Sequence, residues 1–70
     1  MAENSVYKLV EIVGTSKDSF AKAVAKGVAR ASKNLRNLDW FEVTEMRGRI
    51  EKGRVAQYQV KIKVGFRLDD

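Results

Sequence analysis

From Val6 to Thr15 the chain is dense in Val, Ile, Leu and Tyr and then meets Gly14-Thr15, which predicts a strand. Its alternation is imperfect. Val6, Val10 and Ile12 share one face, while Tyr7, Leu9 and Val13 share the other. A strand apolar on both faces is covered on both, here by the domain's own helix and by a neighbouring subunit. The period then changes. Phe20, Val24, Gly27, Val28, Ala31, Leu35 and Leu38 recur at spacings of three and four, the stripe of an amphipathic helix. Ser16 as N-cap and Asp18 in the first turn put its start at Lys17, and the stripe carries it to about Asn37. Lys22, Lys26, Arg30 and Lys33 take the opposite side. Ala21, Ala25 and Gly27 are small enough to let this helix lie close to a sheet. Close packing is a reason for Gly27, which costs about 1 kcal/mol of helix propensity against Ala.

Two further strands follow, Trp40–Ile50 and Arg54–Leu68, joined by a short turn at Glu51-Lys52-Gly53. The last alternates cleanly. Ala56, Tyr58, Val60, Ile62, Val64, Phe66 and Leu68 fall on one face, and Gln57, Gln59, Lys61, Lys63 and Arg67 on the other. In the middle strand Phe41 and Val43 belong to the core, so Trp40 points away from it. Strict alternation would then bury Arg47 and Arg49 and expose Met46 and Ile50, an expensive arrangement for unpaired charge. A one-residue bulge near Thr44-Glu45 corrects this, returning Met46 and Ile50 to the core and placing Arg47 and Arg49 on the Trp40 face.

Strand, helix, strand, strand is an α+β arrangement, and its simplest closed form is a three-stranded antiparallel sheet packed on one long helix. Seventy residues, 1–70, make a single domain. A core of this size rarely supplies more than about 3–5 kcal/mol, so self-association is expected. Pro, Cys and His are all absent. That removes disulfides, thiolate metal sites and the usual nucleophile–base pairs, and it argues against an enzyme. No metal site is expected. The N-terminus lacks the basic start and apolar stretch of a signal peptide, and no apolar run is long enough to span a membrane, so the expected compartment is the cytoplasm. The first five and last two residues are expected to fray.

The uncovered sheet face carries Trp40, Arg47, Gln57, Gln59, Lys61, Lys63 and Arg67. Trp40, the only Trp, is either a packing residue, in the core or at a subunit contact, or a platform on which a flat heteroaromatic ring stacks. Gln59 is either a solvated strand residue or a reader of a ring edge that alternates carbonyl and N–H. Arg47 and Arg67 suit a phosphate or ring carbonyls, or equally an intersubunit salt bridge with Glu42, Glu45 or Asp69. The helix segment Ser16–Leu38 holds six basic residues and one acid, which gives an alternative reading as a small basic nucleic-acid-binding module. No RNP-like aromatic pair or helix-turn-helix accompanies it.

Several segments together match a known family: Val10-Glu11-Ile12-Val13-Gly14-Thr15-Ser16 with Ser19-Phe20, Leu38-Asp39-Trp40-Phe41-Glu42-Val43, Arg47-Gly48, Tyr58-Gln59-Val60, and Val64-Gly65-Phe66-Arg67-Leu68. From about Tyr7 to Leu68 the chain resembles the dodecins, small flavin-binding proteins of bacteria and archaea, and within them the bacterial branch. The resemblance implies a β-α-β-β fold with the sheet wrapped round the helix, assembled as a hollow homododecamer of cubic symmetry. It implies flavin pairs at two-fold interfaces, with Trp40 stacking, Gln59 reading the ring edge, and Arg47 and Arg67 contacting flavin or its phosphate. FMN is the implied cofactor, with riboflavin and FAD as alternatives, and some bacterial relatives are also associated with coenzyme A. The implied role is flavin storage and buffering without catalysis.

Overall fold

The computed structural model describes residues 5–69. They form β1 (Tyr7–Ser16), α1 (Phe20–Ala31), β2 (Leu38–Glu51) and β3 (Arg54–Arg67). The sheet has three antiparallel strands in the order β1-β3-β2. The strand with the cleanest alternation therefore lies in the middle, where one face can pack on the helix and the other can be polar. β2 and β3 are joined by a two-residue loop in which Lys52 and Gly53 both take positive φ, 53° and 75°. That is the type I′ geometry whose twist matches the flanking strands.

The expected β-α-β-β order and the three strands are present, with strand bounds shifted by one or two residues. The helix is shorter than its stripe predicts. Ser16 is not the N-cap. Its buried Oγ accepts the Asp18 and Ser19 backbone N–H groups at 2.9 and 3.4 Å, closing a turn before the helix begins. Ser19 is the N-cap, accepting Lys22 N–H at 3.0 Å. Asp18 consequently lies outside the first turn and reaches Lys22 Nζ at 3.4 Å. At the other end the i→i+4 ladder gives way to shorter-range bonds, Lys33 N–H to Arg30 O and Asn34 N–H to Ala31 O. Ser32 Oγ also donates to the Ala29 carbonyl at 2.7 Å. Serine back-bonding of this kind competes with helix continuation. Leu35 and Leu38 keep their apolar register as parts of the following loop and strand.

α1 meets the sheet through Ala23, Gly27 and Ala31, not through Ala21 and Ala25, which are exposed. The close approach is set from the sheet side. A side chain on Gly14 would collide with the Ala23 carbonyl, whereas a Cβ on Gly27 would sit at an ordinary 3.6 Å from Gly14, Ile12 and Ile62. The core is Ala23, Val60, Ile62 and Val64, with Val10, Ile12, Phe20, Val24, Val28 and Leu38 packed round it.

α1 lies over β1 and β3, and it does not cover β2. Beyond Leu38, β2 is exposed along its length. The bulge expected near Thr44-Glu45 is present: Val43 pairs with Ile62 and Glu45 with Lys61, leaving Thr44 as the extra residue. Met46 does return to the helix side, opposite buried Val60. It is nonetheless 57% exposed and Ile50 is 72% exposed, and Phe41 and Val43 are also exposed, so none of the four enters this chain's core as expected. Met46 and Ile50 lie where the β2–β3 hairpin runs past the helix, giving a molecule of 51 × 20 × 14 Å. Of the ends expected to fray, residues 1–4 and 70 lie outside the described residues. Asp69 is tied down, accepting from Asn37 Nδ2 at 2.9 Å and pairing with Arg36 at 3.5 Å.

Candidate ligand-binding face

Two irregularities in β2 aim the candidate residues. Leu38 pairs with Phe66 and Trp40 pairs with Gly65, so Asp39 is an extra residue. In a regular strand Leu38 and Trp40 would share a face, because side chains alternate with period two. The extra residue lets Leu38 pack against the core while Trp40 turns to the opposite side. The Thr44 bulge then shifts the parity again, so that Arg47 lies on the Trp40 face, directly opposite Gln59. Thr44 itself donates from Oγ1 to the Lys61 carbonyl at 3.1 Å, which fixes the bulge to the central strand.

Trp40 is 43% exposed on the sheet face away from the helix. Its indole lies across Gly65, where a Cβ would come within 2.5 Å of Cζ2. Only glycine permits that approach. Tyr7, from the far strand, meets the indole edge-on with centroids 4.9 Å apart and planes at 63°, a favourable aromatic geometry. Tyr7 also borders a polar cleft of about 240 Å³ with Asn37, Leu38, Asp39 and Arg67. Burial and the Asp39 carboxylate push the Tyr7 phenol above its ordinary value, against smaller opposing effects of Ser5 and Arg67. Asn37, at φ 63°, clamps this end of the sheet, since its carbonyl accepts the Arg67 N–H at 3.0 Å and its Nδ2 donates to the Arg67 carbonyl at 3.2 Å. Asn is among the few residues that take this left-handed conformation readily.

The second cluster is polar. Arg47 Nε donates to Gln59 Oε1 at 3.1 Å, and Gln59 Nε2 donates to Gln57 Oε1 at 2.8 Å. Arg47 also pairs with Glu45 at 3.5 Å, so one salt bridge anticipated between subunits is formed within the chain. A guanidinium can only donate, which fixes the Gln59 amide with oxygen toward Arg47. One lone pair and one N–H of that amide then remain for a ligand.

The four candidate residues thus share one face but form two groups. Trp40 and Arg67 lie at one end, Arg47 and Gln59 at the other. Gly65 and Gln59 are six residues apart on β3, about 20 Å at about 3.3 Å per residue. Sequence reasoning places Gln57 on this face without its bond to Gln59, and it misses the Tyr7–Trp40 contact and the Asp39 bulge. Tyr7 was legible only as a member of the outward set, because its contact with Trp40 spans the central strand.

Among the described residues no three His, Cys, Asp or Glu side chains gather to hold a metal ion, and no helix is long and apolar enough to cross a membrane. The dodecin family model matches residues 6–69. The chain is 54% identical over 65 residues to a dodecin from Thermus thermophilus, covering 93% of this chain and 94% of that one. It is 31% identical over 64 residues to a calcium dodecin from Mycobacterium tuberculosis, covering 91% and 90%. The dodecin structure from Streptomyces coelicolor superposes with a TM-score of 0.94 at 54% identity and covers 99% of both chains. With the same β-α-β-β order, the same sheet and this level of identity over nearly every residue, the chain belongs to the dodecin family.

Proposed function

We propose that this protein binds flavin without catalysing a reaction, holding stacked FMN pairs between Trp40 side chains where copies of the chain meet in a closed dodecamer, as a cytoplasmic store and buffer. The observation that carries the reading is the placement of Trp40, a lone indole laid open on the uncovered sheet face over a glycine. An electron-rich indole stacks well on an electron-poor flat ring. Gln59 would read the carbonyl and N–H edge with its remaining lone pair and N–H, while Arg47 and Arg67 would meet ring carbonyls or phosphate. Riboflavin and FAD present the same ring, and coenzyme A is a separate phosphate-bearing candidate.

The separation of about 20 Å between the two groups has a mechanical consequence. A ring stacked on Trp40 cannot reach Gln59 of the same chain, so a complete site draws its indole and its amide from different copies. Self-association then serves both stability and binding. The bound isoalloxazine supplies a photoexcitable, redox-active ring. Trp40, an electron-rich indole, would act as the electron donor and acceptor that quenches the excited ring before it reacts with oxygen. Covering both ring faces also excludes reagents, which suits holding a flavin more than using one.

The test is native mass together with visible absorption and emission. A purified large particle that is yellow, with flavin emission recovering on denaturation, supports the reading. A colourless protein whose binding to heparin or DNA weakens steeply with salt would instead favour the nucleic-acid alternative offered by exposed Lys22, Lys26 and Arg30.

A further inference from the structure

A partly exposed indole on an open sheet face would ordinarily sample more than one rotamer. Two neighbours restrict Trp40. Gly65 gives the indole a flat backbone floor, since a Cβ there would approach Cζ2, Cε2 and Cη2 to 2.5–2.6 Å. Tyr7 closes one side in a T-shaped contact, 4.9 Å between centroids at 63°. It does so from β1, across the whole width of β3, where its backbone partner is Arg67. The Tyr7 hydroxyl oxygen is buried and has no hydrogen-bond partner among the described residues. A buried hydroxyl without a partner is unfavourable. Asp39 and Ser5 lie near enough to act on the phenol, yet no hydrogen bond of good geometry ties the hydroxyl down, so the contact with Trp40 is made by the aromatic ring.

We propose that Tyr7 is a positioning residue for Trp40: its ring and the Gly65 floor together lock the indole in one orientation, with one face left open for stacking. The consequence for ligand binding rests on the flavin reading. The clamp itself does not, because Trp40 is the only Trp and reports its own mobility in the absence of any ligand.

The experiment uses the full chain and reads near-UV circular dichroism, tryptophan anisotropy and acrylamide quenching before any FMN is added. Tyr7→Leu keeps apolar bulk and removes the ring edge. It should lose the near-UV tryptophan band, lower the anisotropy and raise quenching, with far-UV dichroism and native mass unchanged. Its FMN affinity should fall roughly two- to tenfold, the worth of one edge-to-face pair. Tyr7→Phe should match wild type in every signal. Tyr7→Leu with wild-type anisotropy and near-UV dichroism overturns the proposal, as does Tyr7→Phe behaving like Tyr7→Leu, which would make the hydroxyl the operative group. Gly65→Ala decides the matter if Tyr7→Leu fails to assemble. It should displace the indole and shift the tryptophan emission, and unchanged emission overturns the clamp. Wild-type protein that takes up no FMN sinks the flavin reading alone, since the ligand-free tryptophan signals still judge the clamp.

Discussion

Trp40 matters because of where it is not. A core Trp would be a packing residue, but this one lies outside the core with 43% of its surface open. Trp40→Ala should therefore weaken FMN binding by about 1–3 kcal/mol, the range for removing an aromatic stacking partner, and should relieve quenching of bound flavin while leaving the native mass unchanged. A fluorescence titration reads both effects. Gln59→Ala should cost about 1 kcal/mol of affinity with quenching nearly intact, because the indole still faces the ring. Tyr7 gives a prediction that needs no ligand. Its phenol is held above the ordinary value of 10.0, first by burial and then by Asp39. A raised folded value favours the protonated phenol, so the stability it contributes is fully present below pH 10 and is lost as pH rises through the folded value. Spectrophotometric titration of a Tyr58→Phe variant, in which Tyr7 is the sole tyrosine, should give a phenolate transition above pH 10. A transition at or below 10 would show that the site is not as enclosed as described.

At the scale of elements, the closest contact between helix and sheet is governed by one glycine and not by the other. Gly14→Ala pushes a methyl group into the Ala23 carbonyl and should destabilise by about 1–3 kcal/mol, as overpacking does. Gly27→Ala has room at 3.6 Å and should be neutral or stabilise by up to about 1 kcal/mol through helix propensity. Thermal melts of the pair check this, and equal losses in both would refute the packing account. In the sequence the small residues Ala21, Ala25 and Gly27 mark the close approach, because a glycine inside a helical stripe is visible there while its partner across the interface is not. The same limit explains the helix bounds. The stripe through Leu35 and Leu38 continues the period, and only the competing side-chain bonds of Ser16 and Ser32 show that the backbone does not. The Thr44 bulge was legible because alternation and charge disagreed about Arg47 and Met46. The Asp39 bulge was not, since Leu38 and Trp40 are both apolar and raise no such conflict. In sequence Gln57 reads as any solvated strand residue, since the bond from Gln59 Nε2 to Gln57 Oε1 exists only in the fold.

The whole molecule leaves a problem that one chain cannot solve. Phe41, Val43 and Met46 of β2 are 49%, 43% and 57% exposed on the helix side of the sheet, yet the helix does not extend over them. A row of apolar side chains on a strand otherwise open to water marks a contact with another protein surface, and its worth is gained only on assembly. Val43→Lys puts a charge into that contact. Burying it unpaired would cost several kcal/mol, so the particle should fall to a much lower native mass. Val43 lies outside the helix-covered core of Ala23, Val60, Ile62 and Val64, so far-UV dichroism should be largely kept. The proposed site makes a further demand on this variant. With Trp40 and Gln59 about 20 Å apart along β3, a dissociated chain retains an indole and an amide that cannot serve the same ring. FMN binding should therefore disappear together with the large particle, in one step, although no residue of the ligand face has been altered. Sedimentation measured at the protein and flavin absorption bands follows both quantities in a single run. Flavin that travels with the dissociated chain at wild-type affinity would mean that one copy supplies the whole site, and the division of the site between copies would have to be abandoned.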